Sequence, residues 1–168
     1  MSGFTPTPLF LDPAYSGLEP PKWFRTAMDV PRDEGTVDVD GCPIHYFEWG
    51  DRSKPSLLMV HGFLAHVHCL VFIAPFLAAD YHIVAMDMSG MGDSGAREGY
   101  TIDGRADEMM QVAEHFDMFN KAEKPIIIAH SYGGAIGLGA MEAAADRFGG
   151  LVICDLMAMR PSKLAAFF

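Results

Sequence analysis

The chain has 168 residues, half of them hydrophobic, and a formal net charge of −10 at neutral pH. The length and apolar content suffice for one globular core, whereas the negative charge argues against nucleic acid and anionic membrane as partners. The apolar runs are interrupted by Gly, Asp or Pro well before the ~18 residues that a membrane-spanning helix needs. The first residues lack the basic and apolar regions of a secretory signal.

The three cysteines are Cys42, Cys69 and Cys154. Their odd number and wide separation are typical of neither a disulfide framework nor a metal site. We therefore interpret them as reduced thiols, which predicts a cytoplasmic protein without a bound metal.

Residues 1–34 contain six prolines and little hydrophobic periodicity. This composition predicts an extended arm with a short helix around residues 23–28. Apolar side chains of the arm, among them Phe10, Leu11, Trp23 and Phe24, suggest that it packs on the remainder of the chain. Residues 35–168 are then the main domain. It opens with two strands over residues 35–50, because Asp-Gly at 40–41 is a hairpin signal.

Short apolar runs then alternate with stretches of helical spacing. The runs predict buried strands at residues 57–60, 83–86, 126–129 and 151–154, and the spacing predicts helices over 67–77, 102–116 and 132–147. This alternation indicates an α/β fold with a mostly parallel sheet and helices on both faces. In such sheets ligands bind beyond the carboxyl ends of the strands.

Three loops leave those ends: His61-Gly62-Phe63, residues 87–95, and the turn at Ser131. Ser131 lies between Ala129 and Gly133, after an apolar strand and before a glycine-rich helix, as in a nucleophile elbow. The glycines at 133, 134, 137 and 139 would let this helix pack close to the sheet. The alternative is a structural serine that caps the helix.

The order of elements and these three loops resemble the α/β-hydrolase superfamily. The resemblance covers roughly residues 35–161, with Ala129 where the family usually has glycine. It implies the N-terminal portion of the α/β-hydrolase fold, truncated after the strand that follows the nucleophile helix, without the lid and the last strands.

The resemblance also implies roles for individual residues. Ser131 would be the nucleophile, and the backbone N–H groups of Phe63 and Tyr132 would form the oxyanion hole. Gly62 would allow the backbone conformation that aims the Phe63 amide. His61 and His130 would be structural.

The expected base is missing from this sequence. In the family the acid follows the serine and the histidine comes last, yet no histidine follows His130. Asp155 is a candidate acid, with a structural turn residue as the preferred reading. We expect the base to lie beyond Phe168 and the 168-residue chain alone to be inactive.

The resulting hypothesis is a serine hydrolase that cleaves a small, largely apolar ester or lactone through an acyl-enzyme, with no cofactor. A carbon–carbon bond hydrolase of the same fold and a non-catalytic binding domain are the alternatives. Epoxide hydrolases and haloalkane dehalogenases are disfavoured, because those relatives carry an aspartate at the elbow. The oligomeric state stays open.

Overall fold

The computed structural model describes residues 19–156, which contain three α-helices and six strands. In chain order they are α1 (Lys22–Met28), β1 (Asp33–Val39), β2 (Cys42–Trp49), β3 (Ser56–Val60), β4 (His82–Met86), α2 (Ile102–His115), β5 (Ile126–His130), α3 (Tyr132–Ala144) and β6 (Gly150–Cys154). Phe10, Leu11 and the segment after Leu156 lie outside the described residues.

The six strands form one sheet in the order β1-β2-β4-β3-β5-β6. The β1–β2 and β2–β4 pairs are antiparallel, and β3 pairs in parallel with both β4 and β5, as β5 does with β6. The mostly parallel sheet is therefore confirmed. The predicted hairpin turn is also confirmed, since Asp40 and Gly41 both have positive φ angles, 50° and 78°, as a two-residue turn between twisted strands requires.

Alternate side chains of the central strands enter two different cores. Leu58 and Val84 belong to the core beneath α2 and α3, whereas Met59 and Ala85 belong to the core on the opposite face. Both faces are covered, as the continuous apolar runs predict for a parallel sheet.

The segment after β3 differs from the predicted helix. It forms two 3₁₀ turns, Val67–Leu70 and Ala74–Phe76, in place of one α-helix over 67–77. Pro75 lies in the second turn, and a proline has no N–H to donate to the carbonyl four residues earlier. Local apolar spacing thus missed the interruption, and two of the side chains on its predicted apolar face, Ile73 and Phe76, are 49% and 56% exposed.

The described part of the N-terminal arm packs on this second face. The predicted short helix is α1, and its Trp23 and Phe24 rings lie 6.5 Å from Phe76 and 6.2 Å from Phe72. β1 begins at Asp33, within the range assigned to the arm. A boundary near residue 34 stays a prediction.

Strand β6 is less buried than expected. Val152 is 49% exposed, and the other side chains of the strand are only partly covered or exposed. Within residues 19–156, β6 pairs with β5 alone, so the expectation of a fully buried strand is wrong for this part of the chain.

All three cysteines are free thiols. Over residues 19–156, no helix combines the length and the apolar character needed to cross a membrane. A cytoplasmic location stays a prediction.

Candidate active site

Ser131 occupies a sharp turn between β5 and α3 and has φ 52° and ψ −114°. Residues other than glycine rarely adopt such a backbone conformation, because it costs them on the order of 1–3 kcal/mol. Two backbone hydrogen bonds hold it: the Ser131 N–H donates to the Cys154 carbonyl, and the Gly134 N–H donates to the Ser131 carbonyl, both at 2.9 Å. The neighbouring strand and the helix together impose the turn.

The Ser131 hydroxyl is not a helix cap. The residue holds the N-cap position of α3, yet its side chain accepts no capping hydrogen bond. Within residues 19–156 the hydroxyl has no hydrogen-bond partner at all, and the side chain is partly exposed. The capping alternative is therefore wrong.

Close packing around the elbow depends on glycines. A Cβ at Gly133 would lie 2.5 Å from the His61 carbonyl oxygen, and Cβ atoms at Gly134 and Gly137 would collide with side chains of β6. These three glycines bring α3 onto the sheet as predicted. Gly139 instead faces α2, where a Cβ would lie 3.0 Å from Ile102 Cγ2, so its expected contact with the sheet is wrong.

The turn after β3 lies directly against the elbow. A Cβ at Gly62 would be 2.9 Å from His130 Nδ1 and 3.3 Å from Ser131 Cβ. Gly62 does not have a positive φ; Leu64 does, at 54°. Glycine is therefore needed here because two segments of the backbone approach closely. That Gly62 also lets the backbone aim the Phe63 amide stays a prediction.

The two predicted oxyanion-hole residues also meet through their side chains. The Phe63 and Tyr132 rings stand edge to face with centroids 5.6 Å apart. Tyr132 is the first residue of α3, where backbone N–H groups point away from the helix and its dipole favours negative charge. Phe63 is 52% and Leu64 80% exposed, so an apolar surface borders the serine.

Both ring nitrogens of His61 are engaged by groups other than Ser131. Its buried ring places Nδ1 2.7 Å from the Gly62 carbonyl, to which it donates, and Nε2 accepts from the Met88 N–H at 3.2 Å. Burial lowers the pKa of His61, which favours this neutral form. The ring ties the loop after β3 to the loop after β4, as a structural histidine would.

Asp87 organises the second loop, a role that sequence reasoning missed. Its fully buried carboxylate accepts hydrogen bonds from Val67 N (2.6 Å), Asp93 N (3.1 Å) and His45 Nδ1 (2.8 Å). Burial alone would raise the pKa of Asp87, but these hydrogen bonds outweigh it and lower the pKa. A signal was present, since an aspartate directly after a buried strand needs such partners.

Two groups of side chains have metal-ligand atoms near one another. Atoms of His45, Asp87 and Asp93 lie within 4.8 Å, but the Asp87 oxygens already accept protein hydrogen bonds. The Nδ1 atoms of His66 and His68 are 3.1 Å apart, and among the described residues no third ligand completes a site there. Both groups are explained by hydrogen bonding.

No base contacts the serine in the described structure. All seven histidines lie within residues 19–156, and none of them hydrogen-bonds to the Ser131 hydroxyl there. His130 borders Gly62 beside the elbow and is exposed. Asp155 is an exposed residue with φ 61° and makes no hydrogen bond or ion pair in this part of the chain.

Arg105 was also missed. It lies in the first turns of α2, is 5% exposed, and donates to the Tyr132 hydroxyl at 3.1 Å and to the Ser89 carbonyl at 2.9 Å. Nothing in the sequence marks it, because both contacts join segments distant along the chain. It connects the loop after β4 with the first residue of α3.

Comparison with known proteins places this geometry in a family. The sequence matches the alpha/beta hydrolase family over residues 57–168, which include the turn after β3, the Asp87 loop and the elbow. The chain belongs to the alpha/beta hydrolase family.

Individual members of the family differ in what they do. The chain is 30% identical over 116 residues to the dihydrolipoyllysine-residue acetyltransferase component of the acetoin cleaving system of Pseudomonas putida. The aligned residues make up 68% of this chain and 30% of that protein. The chain is 27% identical over 103 residues to human epoxide hydrolase 4, covering 60% of the chain and 27% of that protein.

Among solved structures, 2-hydroxy-6-oxo-6-phenylhexa-2,4-dienoate hydrolase (BphD) from Rhodococcus sp. strain RHA1 superposes with a TM-score of 0.68 at 28% identity. The match covers 81% of this chain and 52% of BphD. The chain thus spans about half of that structure and less than a third of the two curated relatives.

Proposed function

We propose that this chain carries the nucleophile and the oxyanion hole of a serine hydrolase that cleaves a small, largely apolar carbonyl substrate. The observation that carries the proposal is Ser131: a serine held in a strained backbone conformation, partly exposed, whose hydroxyl caps no helix. Strain of this kind at the end of a strand is a mark of functional sites.

The arrangement of the two loops supports the following reaction. Ser131 Oγ attacks the substrate carbonyl carbon while a general base takes its proton. The carbonyl oxygen becomes an oxyanion and accepts hydrogen bonds from the Phe63 and Tyr132 amides. Collapse of the intermediate expels the leaving group, which receives the proton back from the same base, and water activated by that base then hydrolyses the acyl-enzyme. The base and its acid partner belong, in this proposal, to residues outside the described part.

The surface beside the serine supports an apolar acyl group. Phe63 and Leu64, which follow the Gly62 turn that lies against Ser131, are exposed there. Exposed apolar surface next to a reactive group favours binding of an apolar substrate. Esters and lactones provide the carbonyl, and no cofactor takes part in this chemistry.

A carbon–carbon bond hydrolase is the second candidate, because the relative with 28% identity is by its name a hydrolase of an oxo-phenylhexadienoate. Such a reaction adds water across a bond next to a ketone. Epoxide opening is less compatible with this chain, despite the similarity to epoxide hydrolase 4, because the elbow carries a serine and not an aspartate.

Fluorophosphonate labelling tests the nucleophile directly. The sample is the protein with residues 1–168 and any sequence that its gene encodes downstream. We expect covalent labelling of the wild type and none of Ser131→Ala, while Ser53→Ala, at an exposed serine in the turn before β3, labels like the wild type. Labelling that survives Ser131→Ala, or a wild type that never labels, would favour the non-catalytic binding domain.

Product analysis separates the two hydrolytic candidates. The same protein is incubated with p-nitrophenyl esters of short acids and, separately, with an aryl vinylogous 1,5-diketone. Release of p-nitrophenol that needs Ser131 supports the esterase proposal. Turnover restricted to the diketone, with a carboxylic acid as product, would replace it with the carbon–carbon hydrolase.

A further inference from the structure

Arg105 joins the two residues that border the proposed oxyanion site. Its guanidinium donates to the Tyr132 hydroxyl at 3.1 Å, and the Tyr132 ring in turn packs edge to face on Phe63 at 5.6 Å. Arg105 therefore contacts one member of the aromatic pair directly and the other through it.

The anchoring of Arg105 is unusual for a buried cation. It is 5% exposed, yet within residues 19–156 it forms no ion pair with a carboxylate. Its partners are the Ser89 carbonyl and the Tyr132 hydroxyl. The faces of Tyr100 and Tyr132, whose ring centroids lie 4.6 Å and 5.4 Å from the guanidinium carbon, complete its surroundings.

These contacts make the position of Tyr132 depend on α2. The Ser89 carbonyl belongs to the loop after β4, so the guanidinium is fixed on one side by that loop and on the other by the tyrosine hydroxyl. A hydrogen bond to a charged donor is stronger than one between neutral groups. If the bond were lost, the Tyr132 ring would lose one of the contacts that position it against Phe63.

We propose that Arg105 is a positioning residue that holds the Phe63–Tyr132 pair as a fixed wall of the acyl site and so limits the size of the acyl group. This inference rests on the proposed function of Ser131. Loosening the wall has two consequences: small substrates lose orientation and react more slowly, while bulky substrates are admitted more readily.

The test compares two fluorophosphonates, one with a methyl and one with a decyl substituent, on the protein with residues 1–168 and any downstream sequence. The variants are Tyr132→Phe, Arg105→Gln and the double variant. Tyr100→Phe is the matched control, because it likewise removes the hydroxyl of a tyrosine whose ring packs on Arg105, and that hydroxyl accepts from the Arg97 N–H and not from Arg105. Unfolding midpoints are measured in parallel.

We expect the methyl-to-decyl ratio of labelling rates to fall about fivefold in Tyr132→Phe and in Arg105→Gln. The double variant should show no further fall, because both changes remove the same hydrogen bond. Tyr100→Phe should keep the wild-type ratio. A merely structural role would lower the unfolding midpoint and leave the ratio unchanged.

Two results would overturn the inference while the proposed function stands. One is Ser131-dependent labelling with an unchanged methyl-to-decyl ratio in Tyr132→Phe. The other is a fall of this ratio in the double variant that equals the product of the falls in the two single variants. If Arg105→Gln fails to fold, the comparison of the methyl-to-decyl ratio in Tyr132→Phe with that in Tyr100→Phe still tests the inference. Absence of Ser131-dependent labelling in the wild type overturns the proposed function and this inference together.

Discussion

Ser131 has a strained backbone conformation, and contacts with the rest of the structure offset the free-energy cost of that strain. Its φ of 52° disfavours any residue with a Cβ, and the bonds to Cys154 and Gly134 hold it there. Because glycine tolerates this conformation, the cost can be measured by substitution.

We expect Ser131→Gly to be more stable than Ser131→Ala by about 1 kcal/mol, since only alanine keeps the strained Cβ. Urea unfolding of both variants measures the difference. Ala143→Gly, on an exposed turn of α3, is the control with opposite sign and should lose about 1 kcal/mol. Equal stability of the two Ser131 variants would show that the turn is not strained.

A second prediction at this scale concerns the bonded pair of His45 and Asp87. Burial would lower the pKa of His45, but hydrogen bonds to Asp87 and Glu34 outweigh it and raise the pKa. A raised histidine pKa stabilises the folded state fully below the unfolded value near 6.5 and loses that effect as pH rises through the folded value.

The free energy of unfolding of the wild type should therefore exceed that of His45→Gln by more at pH 5.5 than at pH 8. Asp87 stays ionised at both values because its pKa is lowered. Urea titrations at the two pH values check this, and Glu34→Gln, which removes one partner of His45, should show a smaller dependence on pH. A difference that grows toward pH 8 contradicts the assignment.

At the scale of elements, helix α2 illustrates what local sequence can predict. Thr101 precedes it, and its hydroxyl accepts from the Gly104 N–H at 3.0 Å, with Asp103 in the first turn. Both features favour the helix at its N-terminus, and both are visible in the sequence because the partners are three residues apart or fewer.

Thr101→Ala should lower the free energy of unfolding by about 1 kcal/mol, because the Gly104 N–H loses its acceptor. Thr101→Ser keeps the hydroxyl and should stay close to the wild type. Thermal and urea unfolding of the three proteins measure the effect, and an unchanged Thr101→Ala would mean that water replaces the cap without cost.

Helix α3 makes a stricter demand, since Gly133 approaches the His61 carbonyl more closely than any Cβ allows. We expect Gly133→Ala to cost about 3 kcal/mol, because the backbone must shift. Gly99→Ala is the control, as no atom lies within 4 Å of a Cβ there. Equal unfolding midpoints for the two variants would contradict the close contact.

The elements that sequence reasoning identified correctly are those specified by neighbouring residues: the hairpin at Asp40, the apolar strands and the sharp strand-to-helix turn at Ser131. It failed where distant contacts decide. The exposure of β6, the orientation of Gly139 and the roles of Asp87 and Arg105 depend on partners far away in sequence. The missed interruption at Pro75 is the exception, because a proline is a local signal against a continuous helix. The helical spacing of the neighbouring apolar residues outweighed that signal in the prediction.

At the scale of the whole molecule, the described residues hold the proposed nucleophile, and no base contacts it there. We expect purified residues 1–168 to show little or no turnover of activated esters, because none of the histidines of residues 19–156 bonds to the Ser131 hydroxyl. Loss of the base from such a site leaves only a small residual rate. Release of p-nitrophenol is the measurement, and efficient turnover that requires Ser131 would contradict the expectation.

The pairing of β3 with β5 determines how the Gly62 turn and the turn at Ser131 are aligned with each other. Val60 lies opposite Ala129, and the chain leaves these two neighbours to form the Gly62 turn and the elbow. A slip of two residues would keep every apolar side chain on its proper face, yet would move the amide of Phe63 by roughly 7 Å relative to Ser131. Hydrophobic burial alone would not distinguish these two registers. The close contact between Gly62 and Ser131 does distinguish them, because it exists only in the register that brings the proposed oxyanion hole to the proposed nucleophile.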